Sequence, residues 1–223
     1  MTGLALLFLV SVTVVVGAGN PDATSAGSAR SEFRLTSSFS GAIEAVTEAD
    51  LGPSWRPGCP VGPGDLRRVV VDHWGYDGTE HRGQVIVAAL QADAVLSALR
   101  TLYDERFPIE RMENVALYGA DDNRSMEANN TSAFNCRTVA GRTTWSEHSF
   151  GTAIDINPVQ NPYVSGSFVS PPAGQAWTDR GLRTPGMILA DGPVVRAFAA
   201  IGWLWGGDWR TVKDYQHFSA SGR

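Results

Sequence analysis

The sequence predicts an α+β fold: a single domain in which a small antiparallel sheet is flanked by helices. Three observations predict it. Two β-branched runs, Leu66 to Trp74 and Gly83 to Ala88, flank the turn residues Tyr76-Asp77-Gly78, the pattern of a hairpin. Val95, Leu96, Leu99 and Leu102 then recur at helical spacing. Much later, Gly151 to Ile156 alternates Thr152, Ile154 and Ile156 against Ala153 and Asp155, as a short half-buried strand does.

The N-terminal third carries the sheet. Leu4 to Val16 is an uninterrupted apolar run followed by Gly17-Ala18-Gly19. It is too short for a membrane span and suits a signal-peptide core, although Met1-Thr2-Gly3 lacks a basic residue. Residues 1–18 are therefore expected to be a signal peptide, or an anchor if residues 4–16 stay in the membrane. Residues 19–50 read as a leader rich in Ser, Ala, Gly and Thr, with one short helix at Ala42 to Ala49. The domain proper is expected over residues 51–223. Its hairpin follows a Pro- and Gly-rich loop at Gly52 to Pro60. The helix from Ala92 to Tyr103 has Asp93 near its start, where the helix dipole favours an acid.

The middle of the chain is less regular. A strand is expected at Asn114 to Tyr118, and Asp121 to Arg142 reads as a polar ordered loop. Asn157 to Gly186, rich in Pro and Gly, reads as a long crossover beside a groove. Pro193 to Ile201 is a helix ended by Gly202. The run Trp203 to Trp209 is expected to wall a pocket, and a last strand delivers His217.

Composition narrows the function. The chain has 223 residues, 43% hydrophobic and 18% charged, with a net charge of −5. That suits one compact core. No basic stripe marks a nucleic-acid partner, and nothing in the charge draws the protein to an anionic surface. A monomer is expected. The two cysteines, Cys59 and Cys136, are most simply one disulfide in an exported chain. Such a bond closes a long loop, stabilises the fold by constraining the unfolded chain, and pins Arg137.

Chemistry concentrates in two stretches. The first is Ser146-x-His148-x-x-Gly151-x-Ala153-x-Asp155; the second is Asp214-x-x-His217-Phe218. His148, Asp155 and His217 could hold a metal, since a catalytic zinc takes three protein ligands of this kind and keeps a fourth position open. On spacing alone the alternative is two ordinary histidines and a surface acid. Asp214 shares a segment with His217, so it can sit beside the metal as a base without binding it. Arg137 is the candidate for charge stabilisation, with Arg124 its competitor. His81, at the head of a strand, is either a substrate contact or a surface residue. Trp205 is either a substrate wall or core.

These motifs, with Gly202-Trp203-Leu204-Trp205-Gly206-Gly207-Asp208-Trp209 between them, resemble the zinc D-alanyl-D-alanine carboxypeptidase family, which includes L-alanyl-D-glutamate endopeptidase-like enzymes. The resemblance is read over Leu51 to Phe218. It implies a hedgehog/D-Ala-D-Ala-peptidase-like fold and one Zn2+ on His148, Asp155 and His217. It also implies Asp214 as base and Arg137 as the arginine that grips substrate and transition state, with Ser146 near the substrate. The implied partners are peptidoglycan stem peptides, and the implied setting is secreted or envelope-bound in a bacterium. The expected reaction is D,D-carboxypeptidase hydrolysis. The alternatives are an L-Ala-D-Glu endopeptidase, to which an Asp base is closer, and a non-catalytic zinc-containing wall-binding module.

Overall fold

A computed structural model describes residues 38–223, which form one compact unit. The expected signal peptide or anchor and most of the expected leader lie outside the described residues. Strand β1 (Gly41–Ala45) pairs antiparallel with β2 (Leu66–Trp74), and β2 with β3 (Glu80–Ala88). Helix α1 (Glu48–Leu51) lies between β1 and β2 in the chain. The expected helix at Ala42 to Ala49 is thus a strand followed by a shorter helix. Pairing of Gly41 to Ala45 along the free edge of β2 satisfies backbone groups that an exposed single helix would leave to water. The last ten residues of the stretch expected as leader, 41–50, thus belong to the folded unit. A capping box, with Thr47 and Asp50 satisfying each other's backbone N–H groups, starts α1.

The central sheet buries both faces. Val69, Val71, Val85 and Val87 point to one side, where α2 (Ala92–Asp104) lays Val95, Leu99 and Leu102 against them. Leu66 and Ile86 point to the other, into a second cluster with Leu51, Phe134 and Cys136. The alternation of each strand is what splits the two clusters. The Cys59–Cys136 disulfide closes the second cluster at its edge.

Strand β4 (Arg111–Met112) runs parallel to β5 (Asn130–Thr131). Between them the expected strand at Asn114 to Tyr118 is a single 3-10 turn, Val115–Tyr118. Asn114 caps it, its Oδ1 accepting from the Ala116 N–H at 3.0 Å, and Gly119 ends it in the left-handed region. These local side-chain bonds outweigh the β propensity of the run. The polar loop likewise contains α3 (Asp122–Glu127), started by the Asp121 side chain.

Three short strands then build the site. β6 (Ala153–Asp155) and β9 (Leu204–Trp205) flank β11 (His217–Ser219), all antiparallel. The crossover between β6 and α4 (Pro193–Ala200) holds a hairpin of β7 (Tyr163–Ser165) and β8 (Phe168–Ser170). β10 (Lys213–Asp214) pairs with β7. Phe198 of α4 stacks on Phe218 of β11 at 4.6 Å between ring centroids, which ties the site sheet to the helical layer.

Candidate metal centre

Register brings the donors together. Asp155 on β6 stands directly opposite His217 on β11. Opposed residues of an antiparallel pair share a face, so both side chains leave the sheet on the side away from the core residues Ile154, Ile156 and Phe218. The Asp155 backbone is held from the other side too, bonding Ser132 in both directions at 2.8 and 3.0 Å.

His148 comes from the 3-10 turn Glu147–Phe150, which Ser146 caps with its hydroxyl. The turn is fixed by Gly151. Its φ is +68°, and an added Cβ would lie 2.5 Å from the Ala88 nitrogen at the end of β3. Only a residue without a side chain allows that approach. The Gly151 carbonyl then accepts from the Ala88 N–H at 2.9 Å, docking the histidine turn on the central sheet.

The three donors converge and are buried. Nδ1 of His148 donates to the Ala133 carbonyl at 2.6 Å, leaving Nε2 toward the cluster. The His217 ring is set the opposite way. Its Nε2 donates to the Arg223 carbonyl at 3.1 Å, and Nδ1 faces inward. Outer hydrogen bonds of this kind fix the tautomer and ring plane of metal-binding histidines. Inside, His148 Nε2 lies 3.2 Å from Asp155 Oδ2 and 3.3 Å from His217 Nδ1, which is 2.9 Å from Asp155 Oδ1. Two imidazole lone pairs and a carboxylate pointed at one another repel unless a positive charge sits among them. A proton supplies it in part; a divalent cation fits the donor set better.

The electrostatics say the same. Burial alone would push the Asp155 carboxyl up, but the two imidazoles beside it hold it well below the usual carboxylate range. Burial disfavours a charged His217, yet the hydrogen bond and charge of Asp155, with the charge of Asp214 and the hydrogen bond to Arg223, together outweigh that and push the imidazole up to about 9.

A cleft of about 990 Å³ opens over this cluster. Asp214 and Arg137 line it. Asp214 is placed by β10, and Gly206 makes room for it: a Cβ there would lie 2.7 Å from the Asp214 carbonyl oxygen. Oδ1 of Asp214 is buried and has no partner among the described residues. Its burial pushes the carboxyl up to about 7; His217 opposes this and Asp155 adds to it. Arg137 is held through its backbone by Ser149, whose hydroxyl accepts from the Arg137 N–H at 2.9 Å and donates to its carbonyl at 2.6 Å. Arg124, on α3, does not line the cleft.

Ser146 does line the cleft, as the cap of the His148 turn. Two expected substrate contacts lie elsewhere. His81 sits at the exposed end of β3, paired with Asp77 at 3.0 Å and stacked on His73. Trp205 is core: its Nε1 donates to the Tyr215 carbonyl and its ring stacks on Phe218, beneath the ligand strand rather than above it. The alternation of β9 decides this, because Trp205 shares the inward face with Phe218, opposite it in register. Trp209 takes the wall position instead, its ring 5.6 Å from that of His217. The tryptophan-rich run signalled a wall, but only the fold shows which ring forms it. Tyr163 and Trp145 also line the cleft and carried no separate sequence signal.

No curated protein and no solved structure matches the chain. A family model does, but its match does not reach back to Leu51, Cys59 or Arg137. From residue 140 to residue 220, the stretch that carries all three donors and Asp214, the chain matches the D-alanyl-D-alanine carboxypeptidase family, and the resemblance read in its motifs holds there.

Proposed function

We propose that this protein is an exported zinc peptidase that removes the terminal D-alanine from peptidoglycan stem peptides. One observation carries the reading: two outward-anchored histidines and an aspartate converge beside a buried carboxylate oxygen of Asp214 that has no partner among the described residues. The family match over the same stretch supports peptide hydrolysis.

His148, Asp155 and His217 would hold the ion, and their nitrogen and oxygen donors suit zinc. A zinc ion there supplies Lewis acidity toward a carbonyl oxygen and acidifies water. The chain's own groups do the rest. Asp214, its affinity for a proton raised by burial, takes the proton of the attacking water and delivers it to the leaving amine as the C–N bond breaks. Arg137 places a permanent positive charge at the cleft wall, where negative charge develops on the scissile carbonyl oxygen. The apolar run Leu4 to Val16 and the Cys59–Cys136 bond both support an oxidising, extracytoplasmic setting.

The test is mass spectrometry of defined muropeptides incubated with the zinc-loaded full chain, with a chelator control. Loss of one terminal alanine supports the reading. Release of the stem after its first L-Ala would make the protein an L-Ala-D-Glu endopeptidase. No metal-dependent product would leave the binding-module reading.

A further inference from the structure

The Arg137 guanidinium has a partner that the mechanism above does not use. Asp122, the first residue of α3, places Oδ2 2.8 Å from Arg137 Nη2. Both side chains are largely shielded, at 28% and 27% exposure for Arg137 and Asp122. Nε of the same guanidinium is buried and has no partner among the described residues. One terminal nitrogen of the guanidinium is therefore claimed by an acid, and Nε is enclosed. The Arg137 backbone is fixed independently by Ser149 and by the Ser146 N–H, which donates to its carbonyl at 3.1 Å. With the backbone clamped, the ion pair is what selects among the rotamers of a long, flexible side chain. An arginine left to swing would lose that orientation and the rate that depends on it.

We propose that Asp122 is a positioning residue that holds the Arg137 guanidinium in one orientation at the cleft wall, where its cleft-facing edge meets substrate. This rests on the hydrolytic reading. It also assigns the Asp121-Asp122-Asn123-Arg124 run a part in the site through its acid rather than through Arg124.

The test is a double-mutant cycle on the zinc-loaded full chain, with D122N, R137A and the pair. D122N is expected to lower kcat about tenfold or more while KM stays within about twofold, the pattern of an interaction realised in the transition state. Zinc content and melting temperature should not change. In the R137A background D122N should cost nothing further. An equal loss from D122N in both backgrounds overturns the proposal, and so does a D122N enzyme as fast as the wild type. If R137A is inactive and D122N is normal, the positioning role fails and the hydrolytic reading stands. If D122N does not fold, Asp122→Ser keeps a residue suited to a helix start and is judged by the same outcomes. A second readout needs no turnover. In 15N-arginine spectra the Arg137 Nε–Hε signal should be protected from exchange in the wild type and exposed in D122N. A signal unmoved by D122N overturns the contact even if the wild type cleaves neither muropeptide.

Discussion

At the scale of single residues, the three side chains that could hold a metal are distinct from the acid proposed to use it. His148, Asp155 and His217 face one another, and Asp214 stands apart with its Oδ1 unclaimed among the described residues. Asp214→Ala should therefore reduce kcat by about a hundredfold or more, the usual worth of a positioned acid–base group, and leave zinc content intact. Steady-state kinetics beside metal analysis checks this; loss of zinc together with rate would make Asp214 a ligand. The charge on His217 has a second consequence. Its pKa in the folded, metal-free protein is raised to about 9, above its ordinary value of 6.5. The stabilisation it provides is thus full below about pH 6.5 and is lost as pH rises through about 9. The metal must displace the same proton, so zinc affinity should strengthen with pH across that window and level off above it. Competition titrations at several pH values test this, and a flat profile would refute it.

At the scale of elements, the His148 turn depends on one contact. Gly151 has a left-handed φ and presses on the end of β3, where a side chain has no room. Gly151→Ala should cost about 1–3 kcal/mol of stability, the usual range for backbone forced into such a region, and a clash with Ala88 adds to it. Because His148 rides on that turn, zinc affinity should fall as well. Chemical denaturation and metal titration of the variant measure both. A stable variant with weakened zinc would mean that the turn yields locally; a stable variant with unchanged zinc would mean that the contact is dispensable. The element scale also explains why β1 is a strand. The edge of β2 was unpaired, and five residues of backbone satisfied it.

At the scale of the molecule, the Cys59–Cys136 bond joins the loop before β2 to the segment that presents Arg137, across a sequence separation of 77 residues. Arg56 braces the same segment, its Nη1 donating to the Cys136 carbonyl at 2.8 Å. Removing the bond by Cys59→Ala and Cys136→Ala should destabilise the protein by about 4–5 kcal/mol in the loop-entropy model. Urea unfolding of the double variant checks the magnitude. A loss well under 1 kcal/mol would mean that the second core cluster holds this segment by itself.

The sequence by itself determined the central hairpin, helices α2 and α4, the disulfide partners and the three residues that come together as possible metal donors. Each was legible for a local reason. Strand and helix periods are written every two or four residues, two cysteines allow one pairing, and the donors sit in two short motifs. Tertiary structure alone decided the rest. Register across β6 and β11 set Asp155 opposite His217. The face of β9 sent Trp205 into the core and left the wall to Trp209. The fold chose Arg137 over Arg124 for the cleft, kept His81 at a distant strand end, and gave Arg137 its partner in Asp122. These outcomes depend on which distant segments pack side by side, and no periodicity within a short stretch encodes that.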